Sequence, residues 1–236
     1  MTFIRSILFN IFFPIWTAFI CISMIPLLFT PQRIAAFSGY AWSFGVIWGL
    51  RIICGVKYEI RGVENLPTDK PFILASKHQS VWDTAIFLYL LNKPSYVMKQ
   101  ELLKIPLYGN YLTAIGMIPV DRSGGSKALK DMVNSIKDRL SKGRSVVIFP
   151  EGTRTFPGQK ISYQPGVAFA YLEKDIDAKI IPVSLNSGLF WNKKDFLHPS
   201  GKITVQYHPA IEEGLNRKSF MKKLEDTVEG GQIDSI

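Results

Sequence analysis

Charged side chains are absent from residues 6–32 and again from residues 34–50. About 20 consecutive apolar residues cross a bilayer core. The first run is long enough for that; the second is marginal and is interrupted by Gly39, Gly45 and Gly49. Pro14, Pro26 and Pro31 punctuate the first run and argue against one straight helix. Trp16, Tyr40, Trp42 and Trp48 are candidate interfacial anchors. A cleaved signal peptide is expected to have an apolar region of roughly 7–15 residues followed by a small-residue cleavage site. This run is longer, so a retained membrane anchor over residues 1–52 is expected. Spanning the bilayer and lying within one leaflet both fit the pattern.

From Val56 onward the period changes. Short β-rich runs at Lys57–Ile60, Phe72–Ala75, Tyr96–Met98, Met117–Val120, Ser145–Phe149, Ile180–Leu185 and Ile203–Tyr207 read as strands. Between them Asp83–Leu91, a short piece near Leu102–Tyr111, Ser126–Ser141, Gly166–Lys174 and Arg217–Val228 read as helices. Ser123 and Ser126 are candidate N-caps for the third of these, and Gly143 ends it. In the last, Phe220, Leu224 and Val228 recur at helical spacing, which gives one apolar face. The alternation predicts an α/β domain over residues 53–229, with a mixed, mostly parallel sheet flanked by helices. The continuous apolar run Val146–Phe149 suits a buried central strand. Residues 230–236 are expected to be a disordered tail.

Charge sharpens the division. Of the 28 lysines and arginines only Arg5 and Arg33 lie in the first 50 residues; the other 26 share the rest of the chain with all 19 acidic residues. An excess of seven positive charges behind an apolar leader fits contact with anionic lipid or a phosphate-bearing substrate, and equally the positive-inside bias of a membrane protein. The basic residues are interleaved with acidic ones and no nucleic-acid-binding module is present, so nucleic acid is not an expected partner. Cys21 and Cys54 sit in apolar surroundings, and no Cys/His spacing supports a zinc or redox site.

The ends of strands are where α/β proteins place chemistry, and three segments there are chemically unusual. The first runs from His78 to Asp83. Residues i and i+5 lie about 140° apart around a helix, so the two side chains meet only through a turn leading into a helix. The carboxylate would then hold one imidazole nitrogen and leave the other as a base. On spacing alone, such a pair is more often incidental than catalytic. The second is Phe149-Pro150-Glu151-Gly152-Thr153-Arg154, an exposed turn whose arginine suits a phosphate or a surface ion pair. The third runs from Lys99 to Arg122, where Arg122 precedes a Gly-rich helix start fit for an anion or for simple capping.

In this order the segments resemble the lysophospholipid acyltransferase family, and the 1-acyl-sn-glycerol-3-phosphate acyltransferases in particular. The family's Asn-His-x4-Asp motif is matched by Lys77-His78-Gln79-Ser80-Val81-Trp82-Asp83, with Lys77 where asparagine is common. Its second motif is matched by Lys99, Glu101, Leu102, Pro106, Gly109, Gly116, Asp121 and Arg122. The third is matched throughout by residues 149–154, and an apolar strand ending in Pro182-Val183 is similar to the fourth. The resemblance implies acyl transfer from an acyl thioester, acyl-CoA or acyl carrier protein, to the 2-hydroxyl of lysophosphatidic acid, with no cofactor and no metal. It further implies His78 as base and Asp83 as its orienter. Lys99, Arg122 and Arg154 would hold the phosphate, and Glu151, Gly152 and Thr153 would shape the glycerol site. Lys77 would lower the basicity of His78 or add a phosphate contact. The compact chain implies a membrane location, on the cytoplasmic face of a bacterial inner membrane. Sibling activities on glycerol 3-phosphate or another lysolipid, and a non-catalytic lipid-binding protein, are the rival readings. His198 and His208 are expected to be structural, and Trp82 to be packing.

Overall fold

Successive side chains of a strand face opposite ways, and the central strands of this chain are apolar on both faces. A sheet built from them must be covered on both sides. The computed structural model describes residues 1–231, so most of the expected disordered tail lies outside the described residues. In chain order the elements are α1 (Thr2–Ser23), α2 (Gln32–Gly49), β1 (Val56–Arg61), β2 (Ile73–Ser76), α3 (Trp82–Leu90), β3 (Ser95–Lys99), α4 (Tyr108–Ala114), β4 (Ile118–Val120), α5 (Gly125–Ser141), β5 (Val146–Ile148), α6 (Gly166–Leu172), β6 (Ile180–Leu185), β7 (Gly201–Tyr207) and α7 (Arg217–Gly230). The expected piece near Leu102–Tyr111 divides into a 3₁₀ turn, Gln100–Lys104, and α4.

The strands form one sheet in the order β1-β7-β6-β2-β5-β3-β4. Every neighbouring pair is parallel except β6 with β7, so the expected mixed, mostly parallel sheet is present. At its centre Ile73–Ala75 of β2 align with Val146–Ile148 of β5 on one side and Ile180–Pro182 of β6 on the other. The strands β2, β5, β6, β3 and β4 therefore all end on one edge.

Leu74, Val147, Ile181 and Val183 face one way and are buried with Phe87 and Ile86 of α3 and with Phe9, Val46, Ile47 and Leu50 from the N-terminal helices. Ile73, Ala75, Val146, Ile148 and Ile180 face the other way and are buried under Met132 and Ile136 of α5, Val167 of α6 and Phe220 and Leu224 of α7. Fully burying a Phe, Ile or Leu side chain contributes about 1.5–3 kcal/mol. Phe9, Val46, Ile47 and Leu50 are each at most 1% exposed, so the first 50 residues complete a core rather than hang beside it.

The first apolar run is not one straight helix, as expected: α1 ends at Ser23, and a 3₁₀ turn, Ile25–Phe29, leads through Pro26 to Pro31 at the start of α2. Pro14 departs from the expectation, since α1 runs through it unbroken. The helix is held on both sides of the lost backbone bond: before Pro14, Phe9 and Phe13 pack edge-on against Trp191 of the body, and after it Trp16 and Thr17 bond to Trp42 of α2. Trp16 and Trp42 spend their indole N–H groups within the helix pair rather than at a lipid interface: Trp16 Nε1 donates to the Trp42 carbonyl at 3.0 Å and Trp42 Nε1 to Thr17 Oγ1 at 3.1 Å. The expected serine caps of α5 are also absent. Gly124 stands at the N-cap with no side-chain bond, and Ser123 turns its N–H and hydroxyl to Asp121 Oδ1, a charged acceptor two residues away.

The helix pair closes over Gly45, where an added Cβ would lie 2.0 Å from the ring of Trp16. Because that indole is fixed at its nitrogen, it has no free rotamer to yield. Gly45→Val is expected to destabilise the protein by about 1–3 kcal/mol through overpacking. Thermal unfolding in detergent checks this; an unchanged midpoint would mean that α1 and α2 are not locked at this contact.

Candidate active site

The chain leaves β2 at Ser76, β5 at Ile148 and β6 at Leu185 on the same edge of the sheet, and the three segments that follow meet there. After β2 comes the turn Lys77–Val81, which leads into α3 and places Asp83 in the first helical turn, where free backbone N–H groups favour a carboxylate. Asp83 is fully buried. Its Oδ2 accepts from the N–H groups of Gln79 (2.6 Å) and Ser80 (2.8 Å) and meets His78 Nδ1 at 3.0 Å. Its Oδ1 accepts from Ser187 Oγ at 2.5 Å, delivered by the segment after β6. A carboxylate taking this many donors is an acceptor only. The proton on the His78–Asp83 contact therefore belongs to Nδ1, and in the neutral ring Nε2 carries the free lone pair. The ring lies flat on Phe149 from the β5 segment, with centroids 3.9 Å apart and planes 16° apart. The turn-then-helix geometry that the spacing required is thus present.

The backbone of His78 is held as firmly as its ring. Its N–H donates to Glu151 Oε2 at 2.7 Å, and its carbonyl accepts from the N–H of Thr155 at 2.9 Å. Glu151 is buried and its Oε1 accepts from Thr155 Oγ1 at 2.9 Å. Burial pushes the Glu151 carboxyl up to about 7, although Lys77 pulls in the opposite direction. Glu151 therefore braces the His78 turn from behind and does not line the cavity, which corrects its expected place at a glycerol site. The reason is that the Pro150–Gly152 turn aims this side chain inward, toward the peptide of His78. Lys77 also departs from both expected roles. It is buried, and its Nζ pairs with Glu151 at 3.0 Å and Glu229 at 2.6 Å, away from the cavity.

The cavity itself has a volume of about 370 Å³. His78, Lys99, Arg122, Gly152, Thr153 and Arg154 are among the residues that line it. So are Ile20, Trp42, Leu88, Leu112, Ile115 and Met117, and its apolar wall is therefore shared between the N-terminal helices and the body. None of Lys99, Arg122 and Arg154 forms an ion pair among the described residues. Glu101 acts on Arg122 electrostatically from beyond ion-pair distance; cations that line a cavity without a close carboxylate suit an anionic ligand. Gly152 is needed in the turn for two reasons: its φ is +68°, and a Cβ would lie 3.1 Å from Gln164 Cγ, with the Arg122 guanidinium in contact at 3.4 Å. Gly109 of the second motif has a different task, since a Cβ there would strike the Leu103 carbonyl at 2.1 Å.

Comparison with known proteins is consistent with this arrangement. A protein-family model described as Acyltransferase matches residues 57–186. The chain belongs to the acyltransferase family. Among relatives of this family, a Pseudomonas aeruginosa 1-acyl-sn-glycerol-3-phosphate acyltransferase is 36% identical over 170 residues, covering 72% of this chain and 65% of that protein. One of the same name from Borreliella burgdorferi is 30% identical, covering 73% of this chain and 74% of that protein. The chain thus spans just under two thirds of the Pseudomonas relative. The crystal structure of the Thermotoga maritima 1-acyl-sn-glycerophosphate acyltransferase has the same fold, with a TM-score of 0.78 at 19% identity and 100% of both chains covered.

Two contributors to this candidate site have no motif signal. Ser187 follows the apolar Pro-Val strand, and its partner Asp83 is 104 residues away. Thr155 directly follows the third motif and is visible only once the turn is folded. Phe149, the first residue of the third motif, reads as the end of a buried strand from the sequence and serves as the platform for the imidazole. His198 and His208 are structural as expected: the first bonds Asn10 and the second Ser184. Trp82 is packed in the core.

Ser187→Ala removes one of the donors to a buried carboxylate. A hydrogen bond to a charged group contributes about 1.5–3 kcal/mol, and that loss is expected in chemical denaturation of the variant. Wild-type stability would show that water or another group takes over Oδ1.

Proposed function

We propose that the protein transfers an acyl group from an acyl thioester to the 2-hydroxyl of a 1-acylglycerol 3-phosphate, forming phosphatidic acid for phospholipid synthesis. The observation that carries this reading is one cavity lined together by His78, by three cations that form no close ion pair and by apolar side chains. A lysophosphatidic acid has the same three features: a hydroxyl, a phosphate and a hydrocarbon chain. The names of the relatives support the same acceptor.

A hydroxyl is a poor nucleophile at neutral pH, so its proton must leave as it attacks. His78 Nε2 takes that proton while the oxygen bonds to the thioester carbon. Asp83 stabilises the imidazolium that results. When the tetrahedral intermediate collapses, the carbon–sulfur bond breaks and His78 returns the proton to the departing thiolate. The thioester is already activated, so no acyl-enzyme is required. Arg122, Arg154 and Lys99 hold the acceptor's phosphate, and Gly152 and Thr153 border its glycerol. The donor is acyl-CoA or acyl carrier protein.

This reading places the protein at a membrane. Among the described residues α1 is the one helix long and apolar enough to cross a bilayer. Ile4, Leu8, Ile11, Ile15, Phe19 and Ile22 form an exposed stripe along it at helical spacing. Phe196 and Leu197 are exposed as well, and the Phe196 ring meets Phe3 of α1 at 5.9 Å, which extends the apolar surface beyond the helices. On this reading the site faces the cytoplasmic side of a bacterial inner membrane, where charged thioesters are made.

Purified wild type, His78→Ala and Arg154→Ala, assayed with lysophosphatidic acid and with an uncharged monoacylglycerol, test the assignment. His78→Ala is expected to lose at least ~10² in rate on either acceptor. Arg154→Ala is expected to lose roughly ten- to hundredfold in kcat/KM on lysophosphatidic acid and much less on the uncharged acceptor. Retention of activity by His78→Ala, or equal losses by Arg154→Ala on the two acceptors, would contradict it.

A further inference from the structure

Lys77 and Glu229 lie outside the cavity, yet they are the charged neighbours of the carboxylate that holds His78. Lys77 is 5% exposed, with Nζ 3.0 Å from Glu151 and 2.6 Å from Glu229. The Glu229 oxygen also accepts from Tyr163 Oη at 2.8 Å. Glu229 stands in the last turn of α7, well beyond the segment 57–186 matched by the family model.

Each charge here is costly without the others. A carboxylate buried without a cation takes up a proton. A protonated Glu151 would give up an acceptor position that the N–H of His78 or the hydroxyl of Thr155 now uses. A carboxylate at a helix C-terminus is disfavoured by the helix dipole, and the last turn of α7 holds no basic residue of its own. Burial works to lower the pKa of Lys77, and the two carboxylates outweigh it, so it stays cationic. Buried ion pairs contribute little net stability against apolar replacements of similar volume. Their value here is geometric, because the chain of contacts ends on the peptide of the catalytic base.

We propose that Lys77 and Glu229 are positioning residues for His78: Lys77 seats the Glu151 side chain against the peptide of His78, and Glu229 holds Lys77 in place. Through them the C-terminal helix α7 sets the catalytic turn. The kinetic part of the test rests on the acyl-transfer reading; the spectroscopic part does not.

The full chain in detergent is compared as wild type, Lys77→Met, Glu229→Gln and the double variant. Two quantities are measured: kcat and KM for lysophosphatidic acid, and the imidazole ¹⁵N resonances, resolvable because the chain has three histidines. Lys77→Met is expected to lower kcat at least about tenfold with KM within about threefold, and Glu229→Gln to lower kcat about three- to tenfold. The double variant is expected to be no worse than Lys77→Met alone, because Glu229 acts through Lys77. In both single variants the Nδ1–H signal of His78 shifts or broadens, while His198, which bonds Asn10 of α1, is unmoved. Wild-type kcat in the folded variants, a loss carried by KM, or an unchanged His78 resonance overturns the proposal. If Lys77→Met does not fold, Glu229→Gln decides by the same criteria, since Glu229 reaches the surface. If wild type does not use lysophosphatidic acid, the functional reading fails and the His78 resonance alone decides the positioning role.

Discussion

A carboxylate removed from water must be given donors, and the way Asp83 obtains them organises the rest of this site. Two come from the backbone of the turn just before it, one from the imidazole of His78 and one from Ser187. The turn after β2 must therefore curl around the carboxylate, α3 must start where it does, and β6 must lie beside β2 to deliver its serine. The parallel register of β2 with β6 places that serine on the right edge. Because the demand of the buried charge is met in only one arrangement, the imidazole is left with one free nitrogen in one direction.

A second buried carboxylate has the complementary task. Asp83 holds the ring of His78, and Glu151 holds its peptide. The two come from neighbouring parallel strands, β2 and β5, whose ends are level in the sheet. His78 is therefore fixed by elements separated by some seventy residues, as the 73-residue span of the His78–Glu151 bond records. Such fixation matters for catalysis because a proton-accepting nitrogen must stay within hydrogen-bond reach of the hydroxyl it serves. The N-terminal helices are part of the same construction. Their inner faces complete the core above the sheet and wall the cavity, and the outer face of α1 leaves an apolar stripe toward the surroundings.

Local pattern made much of this legible. The strands read from the sequence match those found to within one or two residues, because apolar runs bounded by turn residues depend on near neighbours. The parallel sheet followed from the alternation of elements. The pairing of His78 with Asp83 needed only a turn before a helix, a local feature. What the sequence hid depends on contacts between distant residues. Ser187 carries no pattern of its own. Glu151 sits within a motif, yet only the folded turn shows that its side chain points back at the peptide of His78. Lys77 next to a histidine reads as a like-charge neighbour until Glu151 and Glu229 are seen to surround it. Pro14 reads as a helix breaker until α1 is seen to be held by Trp191 before it and by Trp42 after it. Each miss is a case where tertiary contact outweighed a sound local rule.

The central claim is that His78 Nε2 is the base in a cavity that seats a phosphate at its cationic part. The most direct measurement is an experimental structure of the protein with bound lysophosphatidic acid. The account predicts the free hydroxyl at about 2.6–3.2 Å from His78 Nε2, the phosphate against Arg122 and Arg154, and the acyl chain along Ile20, Leu88 and Ile115. A lysolipid phosphate bound away from both arginines, with its hydroxyl out of hydrogen-bond reach of His78, would contradict it.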